Sequence, residues 1–354
     1  VIRFNFLLNS IVFAPIDMDE WDQFVARAEP DTPMDRIAGM IYGHVLGDVM
    51  GRGSPPEGWS SGTDQLIILA QSLATGLGGV DAPAAVVAGT ARRLADWVSH
   101  GFPELGARSC DGYTKTVVTH KDFVTDPSGA AVAIWENSKR MFAGNTSMVR
   151  SSVIGALPDD VAKYAALLSQ VTHADERCSR ACVIQAGVLH NLIYRGVQHP
   201  SNVDALLAAC IGHARAEPSA DERELSSCVR IAYTANIDQL KLGDVGTSSY
   251  VHKTVSCCVY ALQVIKVALA NQRVPNYKKF IELVVSKGGD ASANAAVAGA
   301  VMGAYLGLGR LPAELVAAIP NRVMINSTIM TVVETVTRLI SAAQPTPPDE
   351  VTHP

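Results

Sequence analysis

Apolar residues recur along this chain at three- and four-residue intervals, in runs broken by short polar, glycine- or proline-rich punctuation. That period places the apolar side chains on one face of a helix, and it predicts helices almost throughout. The first strong run is DRIAGMIYGHVLGDVMG, from Pro33. WSSGTDQLIILAQSLATG follows, with Ser61 and Asp64 spaced as a capping box. A further helix is expected from Pro83 to His100, and another from Gly129 through AIWENSKRMF. In VTHADERCSRACVIQAGVLHNLIYRG, Thr172 and Asp175 fit a second capping box, Cys178, Cys182, Ala186 and Leu189 mark an apolar face, and Gly196 fits a C-terminal cap. Helices around 202–214, 219–235, 250–270, 276–286, 313–319 and 324–342 complete the set. The stretch Gly101 to Pro127 lacks a helical period and reads as a long surface loop, with strand-like alternation only near Thr114 to Thr119. The expected class is all-α: a compact many-helix orthogonal bundle.

Two of these runs carry glycine every fourth residue. Gly39, Gly43, Gly47 and Gly51 stripe the first, and Gly299, Gly303 and Gly307 stripe GGDASANAAVAGAVMGAYLGLGRLP near the other end. Glycine weakens a solvated helix by ~1 kcal/mol relative to alanine, so such stripes imply compensating backbone-to-backbone packing. The two helices are therefore expected to cross, which joins both ends of the sequence in one domain over 31–343. Residues 1–30 read as an arm or extension whose apolar opening fits a leader remnant, a sequence extension or a packed arm. The proline-rich residues 344–354 read as a disordered tail.

Composition sharpens this picture in a few places. A net charge of −5 and no block of like charge argue against a nucleic-acid or membrane-surface partner. No run of eighteen purely apolar residues occurs, so no membrane-spanning helix is expected. The seven cysteines are odd in number, scattered and embedded in apolar patterns, which suits reduced thiols; Cys178 and Cys182 have no second ligand pair at zinc spacing. Cytoplasmic residence is expected, with secretion left open by the apolar opening.

Taken together, DRIAGMIYGHVLGDVMG, WSSGTDQLIILAQSL, GNTSMVRSSVIG, THADERCSRAC and GGDASANAAVAGAVMGAYLGLGRLP resemble the ADP-ribosylglycohydrolase family over about residues 35 to 320. That family includes the dinitrogenase-reductase-activating glycohydrolases and the jellyfish J1-crystallins. The resemblance implies the bundle of that fold, and hydrolysis of a glycosidic bond to ADP-ribose assisted by two magnesium ions. The ions would be held by a Thr-Asp-Asp run at the first capped helix and an Asp-x-Asp-Thr run after the Gly-Gly turn. Hard divalent cations take oxygen ligands, and several carboxylates must balance their charge.

This sequence departs from both runs. It has Ser60, Ser61 and Gly62 at the first, and Asp290, Ala291, Ser292 and Ala293 at the second. Of four implied carboxylates only Asp290 remains, and an Asp in that place is also a good helix cap. The expectation is therefore a chain without the binuclear magnesium site and without cofactor, with room for at most a single weakly held magnesium. It would act as a pseudoenzyme that binds ADP-ribose, a nucleotide-like ligand or a protein partner. Ser60, Ser61, Asn145, Ser147, His173, Gly289 and Ser292 are the expected ligand-binding residues. Two alternatives stay open: an enzyme using the cleft without two metals, with Asp290, Asp48 or His173 as general acid or base, and an active hydrolase with an atypical magnesium site.

Overall fold

The computed structural model describes residues 18–53, 58–105, 109–214, 220–234 and 236–343. The opening residues 1–17 and the tail 344–354, for which an arm and a disordered segment were expected, lie outside the described residues. Among the described residues sixteen α-helices follow in order. The first eight are α1 (Met18–Arg27), α2 (Pro33–Gly51), α3 (Ser61–Gly76), α4 (Ala82–His100), α5 (Gly112–Val118), α6 (Pro127–Asn137), α7 (Thr146–Arg150) and α8 (Val161–Gln170). The remainder are α9 (Glu176–Tyr194), α10 (Pro200–Ala214), α11 (Ala220–Thr234), α12 (Val251–Ala270), α13 (Tyr277–Val285), α14 (Ala291–Leu306), α15 (Ala313–Ala317) and α16 (Arg322–Ala343). Among the described residues there is no β-strand, only an isolated bridge between Gly144 and Tyr250. The class is all-α.

α2 and α14 cross at the centre with their glycine stripes face to face. A Cβ added at Gly43 would stand 2.3 Å from the Gly299 carbonyl oxygen, and one at Gly303 would stand 2.0 Å from that of Gly39. The Tyr277 hydroxyl of α13 donates to the Gly43 carbonyl at 2.5 Å, tying a third helix to the crossing. Pro33 at the first turn and the Thr32 hydroxyl, which accepts from Asp35 N at 3.3 Å, start α2. The Asp35 carboxylate accepts from Leu308 N at 2.9 Å, so the start of α2 also fixes the end of α14. α3, α9 and α12 pack around this pair. α12 and α16 are long and apolar enough to cross a membrane, unlike the sequence expectation, but 50% and 56% of their apolar windows are already buried within the fold.

Three local starts differ from the sequence expectation. α3 is capped by Ser60, whose hydroxyl accepts from Gly62 N at 3.1 Å, rather than by Ser61. α9 is capped by Asp175 itself, through Arg177 N at 2.9 Å, which releases Thr172 for the core. The supposed loop holds α5: Asp111 accepts from Thr114 N at 2.8 Å, and buried Val117 and Val118 anchor the turn. The capped backbone and this burial outweigh the strand preference of the Thr and Val residues.

Candidate functional site

The two altered runs face one another. A cleft of about 260 Å³ is lined by Ser60, Ser61 and Gly62 at the start of α3, by Asp290, Ser292 and Ala293 at the start of α14, and by Ser109, Cys110, Asp111, Thr146 and Val149. Two helix starts and the entries to α5 and α7 thus converge on one volume. Among the described residues its lining has hydroxyls and two carboxylates, and no Lys, Arg or His.

Asp290 is both cap and cleft residue. Its Oδ1 accepts from Ala293 N at a long 3.4 Å, and its Oδ2 accepts from the Asn145 amide at 3.1 Å. Asp111, which the sequence reading missed, is the second cleft carboxylate; its Oδ2 accepts from the Thr146 hydroxyl at 3.2 Å. Neighbouring residues at the start of α7 therefore hold both acids with neutral donors. Cys110 also lines the cleft, and burial, reinforced by the Asp111 charge, pushes its thiol up to about 12.

Asp48 lies behind the Ser60 wall and is fully buried. Its Oδ2 accepts from Ser60 N at 3.0 Å, the Ser60 hydroxyl at 2.9 Å and the Thr63 hydroxyl at 2.6 Å, while Oδ1 has no hydrogen-bond partner. Burial raises its pKa against the lowering effect of those donors. Asp64 does not complete a capping box. Its carboxylate accepts from the Trp59 indole at 2.7 Å inside the core.

The remaining expected residues are placed further from the cleft lining. Ser147 is buried under α7, where its hydroxyl accepts from Ser169 at 3.0 Å. Gly289, at φ +72, packs its Cα side on the Leu242 carbonyl, which a Cβ would approach to 2.2 Å. His173 is buried, with Nδ1 2.8 Å from the Thr172 hydroxyl and Nε2 without a partner. Burial, then the Arg150 charge, drives its pKa well down, so the ring is neutral. Above it, Tyr113 and Phe142 stack on each other at 3.8 Å, with the His173 ring 5.3 Å from Tyr113.

Arg150 is the unusual charge beneath this floor. It is fully buried, and its guanidinium donates to the Gln65 side chain at 3.1 Å, the Leu168 carbonyl at 2.8 Å and the Thr172 hydroxyl at 2.7 Å. All of these acceptors are neutral. Burial lowers its pKa to about 10, which leaves it charged at neutral pH, and the nearby Asp111 of the cleft pulls the other way. Its neighbour Val149 lines the cleft, so this positive charge lies just under the cleft wall.

The donors at the six aligned positions do not fit two divalent cations. Two such ions need several anionic oxygens, and Ser60, Ser61, Gly62, Asp290, Ser292 and Ala293 supply one carboxylate. A Cβ at Gly62 would meet Val149 Cγ1 at 2.7 Å, so a carboxylate there requires the Val149 side chain to shift. Ser60 Oγ is engaged with Asp48 and Gly62 N. Among the described residues no group of three or more His, Cys, Asp or Glu side chains is arranged to hold a metal ion.

A solved structure titled "ADP-ribosylglycohydrolase-related protein complex" superposes with a TM-score of 0.62 at 20% identity, covering 86% of this chain and 99% of that one. At that identity the likeness establishes the fold. No functionally curated protein matches the sequence. The sequence model of the ADP-ribosylglycohydrolase family, however, matches residues 29–346, almost the whole described chain. The chain belongs to the ADP-ribosylglycohydrolase family.

Proposed function

We propose that this protein is a pseudoenzyme of its family, which uses the cleft between α3 and α14 to bind ADP-ribose or a nucleotide-like ligand without magnesium-dependent hydrolysis. One observation carries this: six positions that would surround two cations offer a single carboxylate, and it is already bonded to Asn145. Arg150 offsets part of the negative charge of the two cleft carboxylates, and the N-termini of α3 and α14 both face the cleft, which supports an anionic guest. The half-buried Tyr113–Phe142 pair beside the cleft offers aromatic surface for a base. Calorimetric titration with ADP-ribose, in EDTA and then in magnesium, tests the proposal. Binding of equal strength in both, with no release of ADP-ribose from ADP-ribosylated arginine or serine peptides, is expected. Magnesium-dependent turnover would sink the pseudoenzyme reading, and no heat at high ADP-ribose would sink the ligand.

A second reading has its own observation. Asp111 and Asp290 line the same cleft as two carboxylates, the minimum set for general acid and base work without a metal. Asp48 and His173 are less suited to those roles because both are buried behind the lining. Glycosidase activity surviving EDTA and abolished by both Asp111→Asn and Asp290→Asn would favour an enzyme over a binding protein.

A further inference from the structure

Asp290 has more behind it than a helix cap requires. The Asn145 amide nitrogen that donates to Asp290 Oδ2 at 3.1 Å also donates to the Thr254 hydroxyl of α12 at 3.0 Å. The Thr254 hydroxyl in turn donates to Asn294 Oδ1 at 2.9 Å. Asn294 sits one turn into α14, and its backbone N–H donates to the Asp290 carbonyl at 2.9 Å, which closes the ring. Asn145 is 2% exposed, and Thr254 and Asn294 are fully buried.

The sense of donation is set at Asn145, which faces a carboxylate that can only accept, while at the far end Asn294 Nδ2 is buried without a hydrogen-bond partner. A threonine hydroxyl has one hydrogen; given to Asn294, it leaves the oxygen able only to accept. The group facing it must then be the NH₂ end of Asn145, and the same NH₂ meets Asp290. The opposite amide orientation would set the Asn145 carbonyl oxygen against the Asp290 carboxylate. An apolar trio would fill this space without the risk of stranded buried polar groups, so the network has a cost that cap geometry does not explain.

We infer that Thr254 and Asn294 are positioning residues that act through Asn145 to hold the Asp290 carboxylate in the cleft. Oδ2 is occupied by Asn145, and Oδ1 carries only the long cap contact. That oxygen is available to a hydroxyl or amino hydrogen of a bound ligand, such as a sugar hydroxyl. The inference rests on the cleft being a ligand site.

The test uses the full-length chain, labelled with ¹⁵N-asparagine, and reads hydrogen exchange of the Asn145 side-chain amide without ligand. Thr254→Val should speed that exchange about fivefold, the factor that corresponds to one neutral hydrogen bond of about 1 kcal/mol, and Thr254→Ser should restore it. ADP-ribose affinity should fall and recover in parallel. Unchanged exchange in Thr254→Val, or loss without recovery in Thr254→Ser, overturns the relay. Should Thr254→Val not fold, Asn294→Leu removes the terminal acceptor and must also speed exchange of the Asn145 amide. If the wild-type protein fails to bind ADP-ribose, the proposed ligand falls while the exchange data still judge the relay.

Discussion

The substitution Gly47→Ala isolates the contact on which the fold depends. A methyl at Gly47 would stand 2.0 Å from the Ala295 carbonyl oxygen and 2.9 Å from Ala296 N, where ordinary contact begins at 3.4 Å. The shortfall at the carbonyl is 1.4 Å, and the obstacle is backbone, so no side-chain rotation relieves it. α2 and α14 must part locally. Alanine returns ~1 kcal/mol of helix propensity. Overpacking of a tight interior costs ~1–3 kcal/mol, and a backbone obstacle belongs at the upper end or beyond. The net expectation is destabilisation by about 2 kcal/mol, or a fall of roughly 3 °C in Tm for a chain of this size. Gly212→Ala provides the control: Gly212 lies inside α10, exposed, with nothing within 4 Å of its added Cβ. There only the propensity gain of up to ~1 kcal/mol operates, and Tm should rise. Urea and thermal unfolding of both variants decide the matter. If Gly47→Ala stabilises the protein as Gly212→Ala does, the close crossing of α2 and α14 is refuted.

Three further predictions concern buried titratable groups. His44 is enclosed in the core with its pKa lowered from 6.5 to about 3 by burial, so its neutral form stabilises the fold above 6.5, and that contribution is lost as pH falls from 6.5 towards 3. The full shift corresponds to on the order of 4–5 kcal/mol; urea midpoints across that window should show a shallower slope in His44→Asn. Asp48 has the opposite sign, since a carboxyl raised by burial loses stability as pH climbs from the unfolded value of 3.8 through its folded pKa. Asp48→Asn, which can still accept from Ser60 and Thr63, should flatten that decline and leave stability near neutral pH within ~1 kcal/mol of wild type or above it; a steeper decline refutes the assignment. Cys178, Cys182, Cys257 and Cys258 are fully buried free thiols, and Cys110 is pushed up to about 12, so iodoacetamide at pH 7.5 should label these five only upon unfolding, as read by mass spectrometry.

What the sequence made legible follows from which interactions are local. The glycine stripes were readable because a backbone-to-backbone crossing needs small residues at a fixed helical period, and both Gly39–Gly51 and Gly299–Gly307 keep it. The starts of the expected helices were readable to within two residues, as at Gly129 for Pro127 and 324 for Arg322, although those of α5 and α8 were not. The choice between Ser60 and Ser61 as cap was not, because Asp48, twelve residues upstream, decides it by binding Ser60. Asp111 escaped notice for a similar reason. Its role in the cleft depends on Thr146, 35 residues away, and its role as a cap was masked by the strand-like composition of GYTKTVV. The Asp-Gly step before a Thr three residues on was the one local signal available. Ser147 is placed differently from Asn145 beside it: it turns inward because α7 is a single short helix with Thr146 towards the cleft and Ser147 towards Ser169.

The changes at the cleft are consistent with one another electrostatically. Several carboxylates gathered around a small volume repel unless cations sit among them, so the proposed metal-free cleft is expected to carry few acids. Each position that differs from the runs the family resemblance implies is neutral here, and these residues make structural contacts. Ser60 caps α3 and satisfies Asp48, and Gly62 leaves room for Val149. The two acids that remain, Asp111 and Asp290, are each held by a neutral donor from the adjacent residues Thr146 and Asn145. The α2–α14 crossing meets the cleft only through backbone, with Gly51 packed on the Ala291 and Ser292 main chain, Gly47 on that of Ala295, and Gly39 and Gly43 on those of Gly303 and Gly299. A scaffold stabilised at its centre in this way leaves the cleft wall free to change its charge without loss of fold. The buried Asn145–Thr254–Asn294 network behind Asp290 is then informative for the proposed function, because three linked buried polar side chains behind one cleft carboxylate have a cost that an idle cleft does not explain.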